Sequence, residues 1–188
     1  ILLNTVGGDV EAGLAIAEGF NSVVRGTRVA QRNAQDGVSL MQTAEGALSE
    51  TTNILQRIRE LAVQSANGTM TTANRAALQA EVTQLLEQID DIASDTEFNG
   101  LRVLSAAQTI TLQAGPQAGQ TLQLQLSGAK ASDIGVSSVS ISSQDAAVSA
   151  LSILDLAINS VSSLRATLGA FQNRLEFTIN TLAIQEEN

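Results

Sequence analysis

The chain has no cysteine, no histidine, no tryptophan and no tyrosine, and only four phenylalanines among its 188 residues. Without cysteine there is no disulfide framework and no thiolate metal site. Without histidine and cysteine the usual general bases and nucleophiles are missing, and a zinc-protease motif of the His-Glu-x-x-His kind is excluded. The scarcity of aromatics argues against a compact core of large rings. The apolar fraction of 44 % is instead made of Ala, Leu, Ile and Val, which suit the narrow seams between long packed helices. Proline occurs once, at position 116, so long tracts run without a helix breaker.

Positive charge is also short. Ten basic residues face nineteen acidic ones, for a net charge of -9, and all the basic residues but Lys130 are scattered arginines. Such a chain repels nucleic acid on average and offers it no local basic run. No uninterrupted apolar run approaches the roughly 18 to 20 residues that cross a bilayer, so no membrane span is expected. The start lacks the basic-then-apolar pattern of a cleaved signal peptide.

What the sequence does have is helical periodicity. From about Asp9 to Ala66 it is rich in Ala, Leu, Glu, Gln and Arg. In the second half of that tract Leu40, Ala44, Ala47 or Leu48, Thr51, Leu55, Ile58, Leu61 or Ala62, and Ser65 form one stripe with 4-3 alternation, a coiled-coil-like seam. Glycines at 13, 19, 26, 37 and 46 oppose the helix by about 1 kcal/mol each, and a bend or break is expected near Asp36-Gly37. Asn67-Gly68-Thr69 supplies residues for a left-handed turn that ends the helix. Thr71 or Thr72 then caps a second helix whose Leu78, Val82, Leu85, Ile89 and Ile92 keep the same spacing. It stops before Thr96-Glu97-Phe98-Asn99-Gly100, where Asn-Gly marks a tight turn.

The middle of the chain alternates with period two. Thr109–Gln113 and Gln120–Leu126 each place leucines or isoleucine on one face (Ile110 and Leu112; Leu122, Leu124 and Leu126) and read as a β-hairpin around Gly115, Pro116 and Gly119. A third, Ser-rich alternation runs from Val136 to Ile141. From Ser142 the helical period returns: Leu151, Leu154, Ile158, Val161, Leu164, Leu168, Phe171, Leu175, Ile179 and Leu182 are spaced only by threes and fours. The expected fold class is mainly α: an elongated bundle of long coiled-coil-like helices with a small inserted β-hairpin region.

Chemistry-bearing clusters are few. Asp90, Asp91, Asp95 and Glu97 form the densest carboxylate group, but they lack the ordered ligands and glycine of a Ca²⁺ loop and read as a solvated helix end. Gly8 to Gly13 has phosphate-loop spacing without the Lys-Ser/Thr that such a loop needs. No catalytic residue, metal site or cofactor is expected. Arg57, Leu61 and Gln64, related by i, i+4 and i+7, form one line on a helix. Either this line is an interface anchored by the guanidinium beside an apolar side chain, or Leu61 packs into the seam while Arg57 pairs with a carboxylate.

Several segments resemble bacterial flagellins, in that family's order: Ala12-Gly-Leu-Ala-Ile-Ala17, Arg32-Asn-Ala-Gln-Asp-Gly-Val-Ser-Leu40, Gln42-Thr-Ala-Glu-Gly-Ala-Leu-Ser-Glu50, the Gln56 to Asn67 stretch, Glu97-Phe-Asn-Gly100 and Leu168-Gly-Ala-Phe-Gln-Asn-Arg-Leu175. Before the first of them, Val6-Gly-Gly-Asp-Val-Glu-Ala12 departs from the family's pattern. The resemblance implies a helical rod domain from residues 1–104 and 142–188, packed together, with 105–141 as a short β-rich insert. It implies a structural subunit of the extracellular flagellar filament, exported without a cleaved signal peptide. Its partners would be other flagellin subunits, a flagellar export chaperone and the Toll-like receptor for flagellin. The terminal core-forming helices and the large outer domains of many flagellins are expected to be absent, Ile1 opening in mid-element. In the resemblance Arg57 and Leu61 match the principal receptor-binding Arg and Leu, and Glu81 of Gln79-Ala80-Glu81 matches a partner Glu on the next helix. Gln56, Arg59, Glu60 and Gln64 match flanking positions, and the same surface is similar to a subunit contact in the filament. Rival readings are a flagellin-like adhesin or polysaccharide-binding module, against which the lack of Trp and Tyr argues, and a hook-filament junction protein.

Overall fold

The computed structural model describes residues 3–187, with side chains from residue 12 onward; Ile1 and most of the divergent segment before Ala12 lie outside the described side chains. Three long helices carry most of the chain: α1 (Leu3–Ser65), α2 (Thr72–Asp95) and α3 (Gln144–Glu187). Between α2 and α3 lie four short strands, β1 (Glu97–Phe98), β2 (Leu101–Arg102), β3 (Gln108–Gln113) and β4 (Thr121–Leu126). The mainly α class with a small β region is as expected from the periodicities.

By packing, the chain divides into two units. One gathers residues 39–110 and 124–171. In it the α1 stripe is buried, with Leu48, Leu55, Ile58, Leu61 and Ala62 at most 1 % exposed. The α2 residues Val82 and Ile89 and the α3 residues Leu154 and Val161 are fully buried as well. Two ion pairs mark the arrangement of α1 and α3. Glu45 meets Arg165 at 2.8 Å and Asp155 meets Arg59 at 2.7 Å, so the later α1 residue meets the earlier α3 residue and the two helices run antiparallel. Buried Thr51 and Thr52 cost little because each hydroxyl donates to the carbonyl one turn earlier, Ala47 and Leu48.

The other unit gathers residues 1–38, 111–123 and 172–188. Here the connection between β3 and β4 lies on α1. A Cβ added at Gly26 would stand 2.9 Å from the Pro116 Cβ, and one added at Gly37 would stand 2.5 Å from the Leu112 Cδ1. Asn33 fixes the placement by donating to the Gln113 carbonyl at 3.1 Å. This explains why α1 continues through Asp36-Gly37 where a break was expected. The glycine admits the hairpin and Leu175 of α3 to the helix surface, and that packing offsets the propensity cost.

The strands follow their sequence signals with one exception. β3 and β4 are hydrogen-bonded neighbours, and a connection this short can only join antiparallel strands. Ile110, Leu124 and Leu126 are buried. β1 and β2 pair antiparallel, with Phe98 opposite Leu101, around Asn99 and Gly100 at φ 51° and 79°, the left-handed pair that a two-residue hairpin turn requires. The Val136 to Ile141 alternation forms no strand. Ile134 and Val136 instead donate back to the Lys130 and Ala131 carbonyls in a tight turn, and Val136, Val139 and Ile141 are buried from this irregular segment.

By length and composition α3 does meet the requirement for crossing a bilayer, with a mean hydropathy of 1.5 over its most apolar window. No unbroken apolar run of that length occurs in it, because Ser and Asn interrupt the sequence. Those residues, with Asp155, take one side of the helix while Ala147, Ala150, Leu154, Ala157 and Val161 are buried on the other, the division expected of a helix in a packed seam.

Candidate functional site

At 100° per residue, the buried positions of α1 between Thr51 and Ser65 occupy one arc, and Arg57 and Arg59 stand at its two edges. Each edge is closed by a different helix. On one, Arg57 donates from Nε at 3.0 Å and from Nη2 at 2.8 Å to the Oε1 of Glu81 on α2, and from Nη1 at 3.1 Å to Glu60. On the other, Arg59 donates to Asp155 on α3 at 2.7 Å. The Glu81 carboxylate, and after it Glu60, hold the Arg57 guanidinium pKa above its ordinary value; Asp155 does the same for Arg59. The Arg57 and Glu81 side chains are 50 % and 43 % exposed, so water screens the pair and its contribution to folding is small.

The residues expected to act together are thus separated by helix geometry. Arg57, Glu60, Gln56, Gln64 and Glu81 are exposed, and Arg57 and Glu81 are brought into direct contact. Arg59 is exposed on the opposite edge. Leu61 is 1 % exposed. It lies about 40° around the helix from Arg57, toward the seam, so it packs inward while Arg57 pairs with a carboxylate. That was the second of the two readings of the i, i+4, i+7 line.

Three polar side chains hold the neighbouring backbone, and one of them, Arg75, was not singled out by the sequence. Arg75 donates to the carbonyls of Ser65, Met70 and Asn67 at 2.9, 2.7 and 2.9 Å. The expected left-handed turn is not formed, since neither Asn67 nor Gly68 adopts positive φ. Asn67 instead accepts from the Thr69 amide through its side chain. Gln79 and Asp90 on α2 accept the amides of Ile141 and Ala131 at 2.6 and 2.8 Å. Asp90 therefore serves the 128–141 segment, and no group of three or more candidate ligands capable of holding a metal ion occurs among the described residues. An arginine aimed at carbonyls has no signature in sequence, because nothing in its neighbours distinguishes it from a solvated one.

The site is a buried helical seam with ion-paired edges, a surface of helix faces. Residues 4–109 match the family model for the bacterial flagellin N-terminal helical region, and residues 151–188 match that for the bacterial flagellin C-terminal helical region. The chain belongs to the bacterial flagellin family. It is 45 % identical to a flagellin of Halalkalibacterium halodurans over 96 % of this chain and 68 % of that one. It is 39 % identical to a flagellar filament core protein of Treponema maltophilum over 96 % of this chain and 69 % of that one. The crystal structure of Bacillus cereus flagellin superposes with a TM-score of 0.68 at 32 % identity, covering 80 % of this chain and 88 % of that one. A hook-associated protein of Vibrio parahaemolyticus, at 13 % identity and a TM-score of 0.73, shares the fold alone. The protein is a structural subunit of the bacterial flagellar filament, the extracellular appendage of motility, and assembles with other flagellin subunits.

Proposed function

We propose that the surface where Arg57 meets Glu81 is recognised by the Toll-like receptor for flagellin when the subunit is free, and is covered by a neighbouring subunit in the filament. The observation that carries this is the forked contact of a half-exposed arginine on α1 with a carboxylate on α2. It holds a planar donor group in one orientation before any partner arrives. An ordered guanidinium loses less freedom on binding than a mobile one and is a frequent interface anchor. Gln56, Glu60 and Gln64 flank it from the same exposed side of α1. Arg59 lies on the far edge and Leu61 acts from beneath, through the seam. In this reading residues 1–104 and 142–188 form the rod and 105–141 the insert. The subunit is exported with a flagellar chaperone and without a cleaved signal peptide, and it catalyses no reaction, in keeping with a chain that has neither His nor Cys.

Titrating the receptor ectodomain with wild type, Arg57→Ala and Glu81→Ala tests the reading. Each variant is expected to bind more weakly by about 1 kcal/mol or more, while thermal stability changes by no more than roughly 0.5 kcal/mol. Equal affinities, or losses that only follow unfolding, would leave Arg57 and Glu81 as an ordinary surface pair.

A further inference from the structure

The last turn of α1 ends without a left-handed residue; the Ala66 and Asn67 amides donate to the Ala62 and Gln64 carbonyls, and the Ser65 carbonyl takes its donor from α2. Arg75, in the first turn of α2, turns back to the Ser65 carbonyl and to the Asn67 and Met70 carbonyls of the connection, while being only 9 % exposed. No carboxylate pairs with it among the described residues. Its charge sits at the negative end of the α1 dipole, which stabilises it there. The guanidinium is planar and its donors are fixed in a fork, so three acceptors on Ser65, Asn67 and Met70 fix the start of α2 relative to the end of α1.

Ser65 belongs to a second set of bonds. Its carbonyl accepts from Arg75, and its own hydroxyl donates to the Ile141 carbonyl at 2.6 Å. The Ile141 amide in turn donates to Gln79 at 2.6 Å. Gln79 stands one turn beyond Arg75 on the same face of α2. The bonds therefore close a ring: Arg75 to Ser65, Ser65 to Ile141, Ile141 to Gln79, and back through one turn of α2. Ser65 and Ile141 are fully buried. A shift of any of the three segments by one residue would break the ring and leave buried polar atoms unpaired, which apolar seam contacts alone do not penalise as sharply.

We propose that this ring sets the register of α1, α2 and the segment leading into α3, and that Arg75 is the positioning residue on which the Arg57–Glu81 contact depends. Arg57 lies two turns before Ser65 on α1, and Glu81 lies just beyond Gln79 on α2. The alignment of those two side chains follows from where the ring fixes their helices. This dependence holds whether or not a receptor reads the surface.

The test is hydrogen exchange of backbone amides and arginine side chains, followed by NMR in wild type, Arg75→Met, Arg75→Lys and Ser65→Ala. In Arg75→Met the Ile141 amide, which Arg75 does not touch, is expected to exchange roughly tenfold faster. The Arg57 Nε–H should take the shift and exchange rate of a free arginine, while the Ile89 amide, farther along α2, stays within about twofold. Lysine keeps the charge but cannot make the fork, so Arg75→Lys should not restore either signal. Ser65→Ala keeps the backbone carbonyl and removes only the hydroxyl, so it should free Ile141 to the same degree and serves if Arg75→Met does not fold. Wild-type exchange at Ile141 and Arg57 in the folded variants, a uniform acceleration of all three sites, or full rescue by lysine would overturn the proposal.

Discussion

Leu61→Ala is expected to lower the unfolding free energy by about 2–5 kcal/mol, the range for truncating a fully buried leucine and leaving part of its volume empty. Leu61 is 1 % exposed and shares the α1 stripe with Ile58 and Ala62, both 0 % exposed. The space it vacates is bounded by side chains of regular helices, which collapse into a cavity only partly. Arg57→Ala, four residues away, removes a screened surface pair and should leave stability close to wild type. The contrast is informative because the two residues stand side by side in the segment most characteristic of the family. Urea denaturation of both variants measures it. Similar midpoints for Leu61→Ala and wild type would place Leu61 on the surface and overturn its assignment to the seam. If the receptor reading holds, Leu61→Ala should weaken receptor binding only where the fraction folded falls.

Much of the fold was legible because helical seams are written in spacing. Every stripe residue named from α2 and α3, from Leu78 to Ile92 and from Leu151 to Leu182, is buried or half-buried. Asn99-Gly100 gave its turn because only a few residues tolerate two successive positive φ values. The failures share a cause: tertiary contacts replaced a local signal. Asn67-Gly68 reads as a left-handed helix end, but neither residue adopts positive φ, and Arg75 from the next helix holds the Ser65 and Asn67 carbonyls. The Val136 to Ile141 alternation reads as a strand, but without a partner strand its backbone is held by Ser65 and Gln79 side chains. At the candidate site, spacing placed Arg57 and Leu61 on one line, and only the actual edge of the buried arc separates them. The Arg57–Glu81 contact joins two helices, so no single-helix pattern contains it; the resemblance to the family brought those residues together.

Gly37→Val is expected to destabilise the protein by about 1–3 kcal/mol, the usual cost of forcing added carbons into a packed site. A Cβ at this position stands 2.5 Å from the Leu112 Cδ1 and 3.0 Å from the Leu175 Cδ1, so the hairpin and α3 both press on the bare backbone. The first methyl alone meets the ends of two flexible side chains, which can turn aside. The gain of about 1 kcal/mol from replacing glycine inside a helix works against that strain, and Gly37→Ala should fall close to wild type. Valine adds two further carbons with a stiff χ1, and Leu175, fully buried, has less room to turn aside. Gly46, with nothing within 4 Å of an added Cβ, provides the control on the same helix: Gly46→Ala should stabilise by about 1 kcal/mol. The double variant Gly37→Val/Leu112→Ala decides the mechanism. If the clash with Leu112 is the cause, it should lose less than the sum of its two single variants, because the shortened side chain makes room for the valine. Strict additivity in urea denaturation, or a Gly37→Val variant as stable as wild type, would show that the hairpin does not rest on α1 at this glycine.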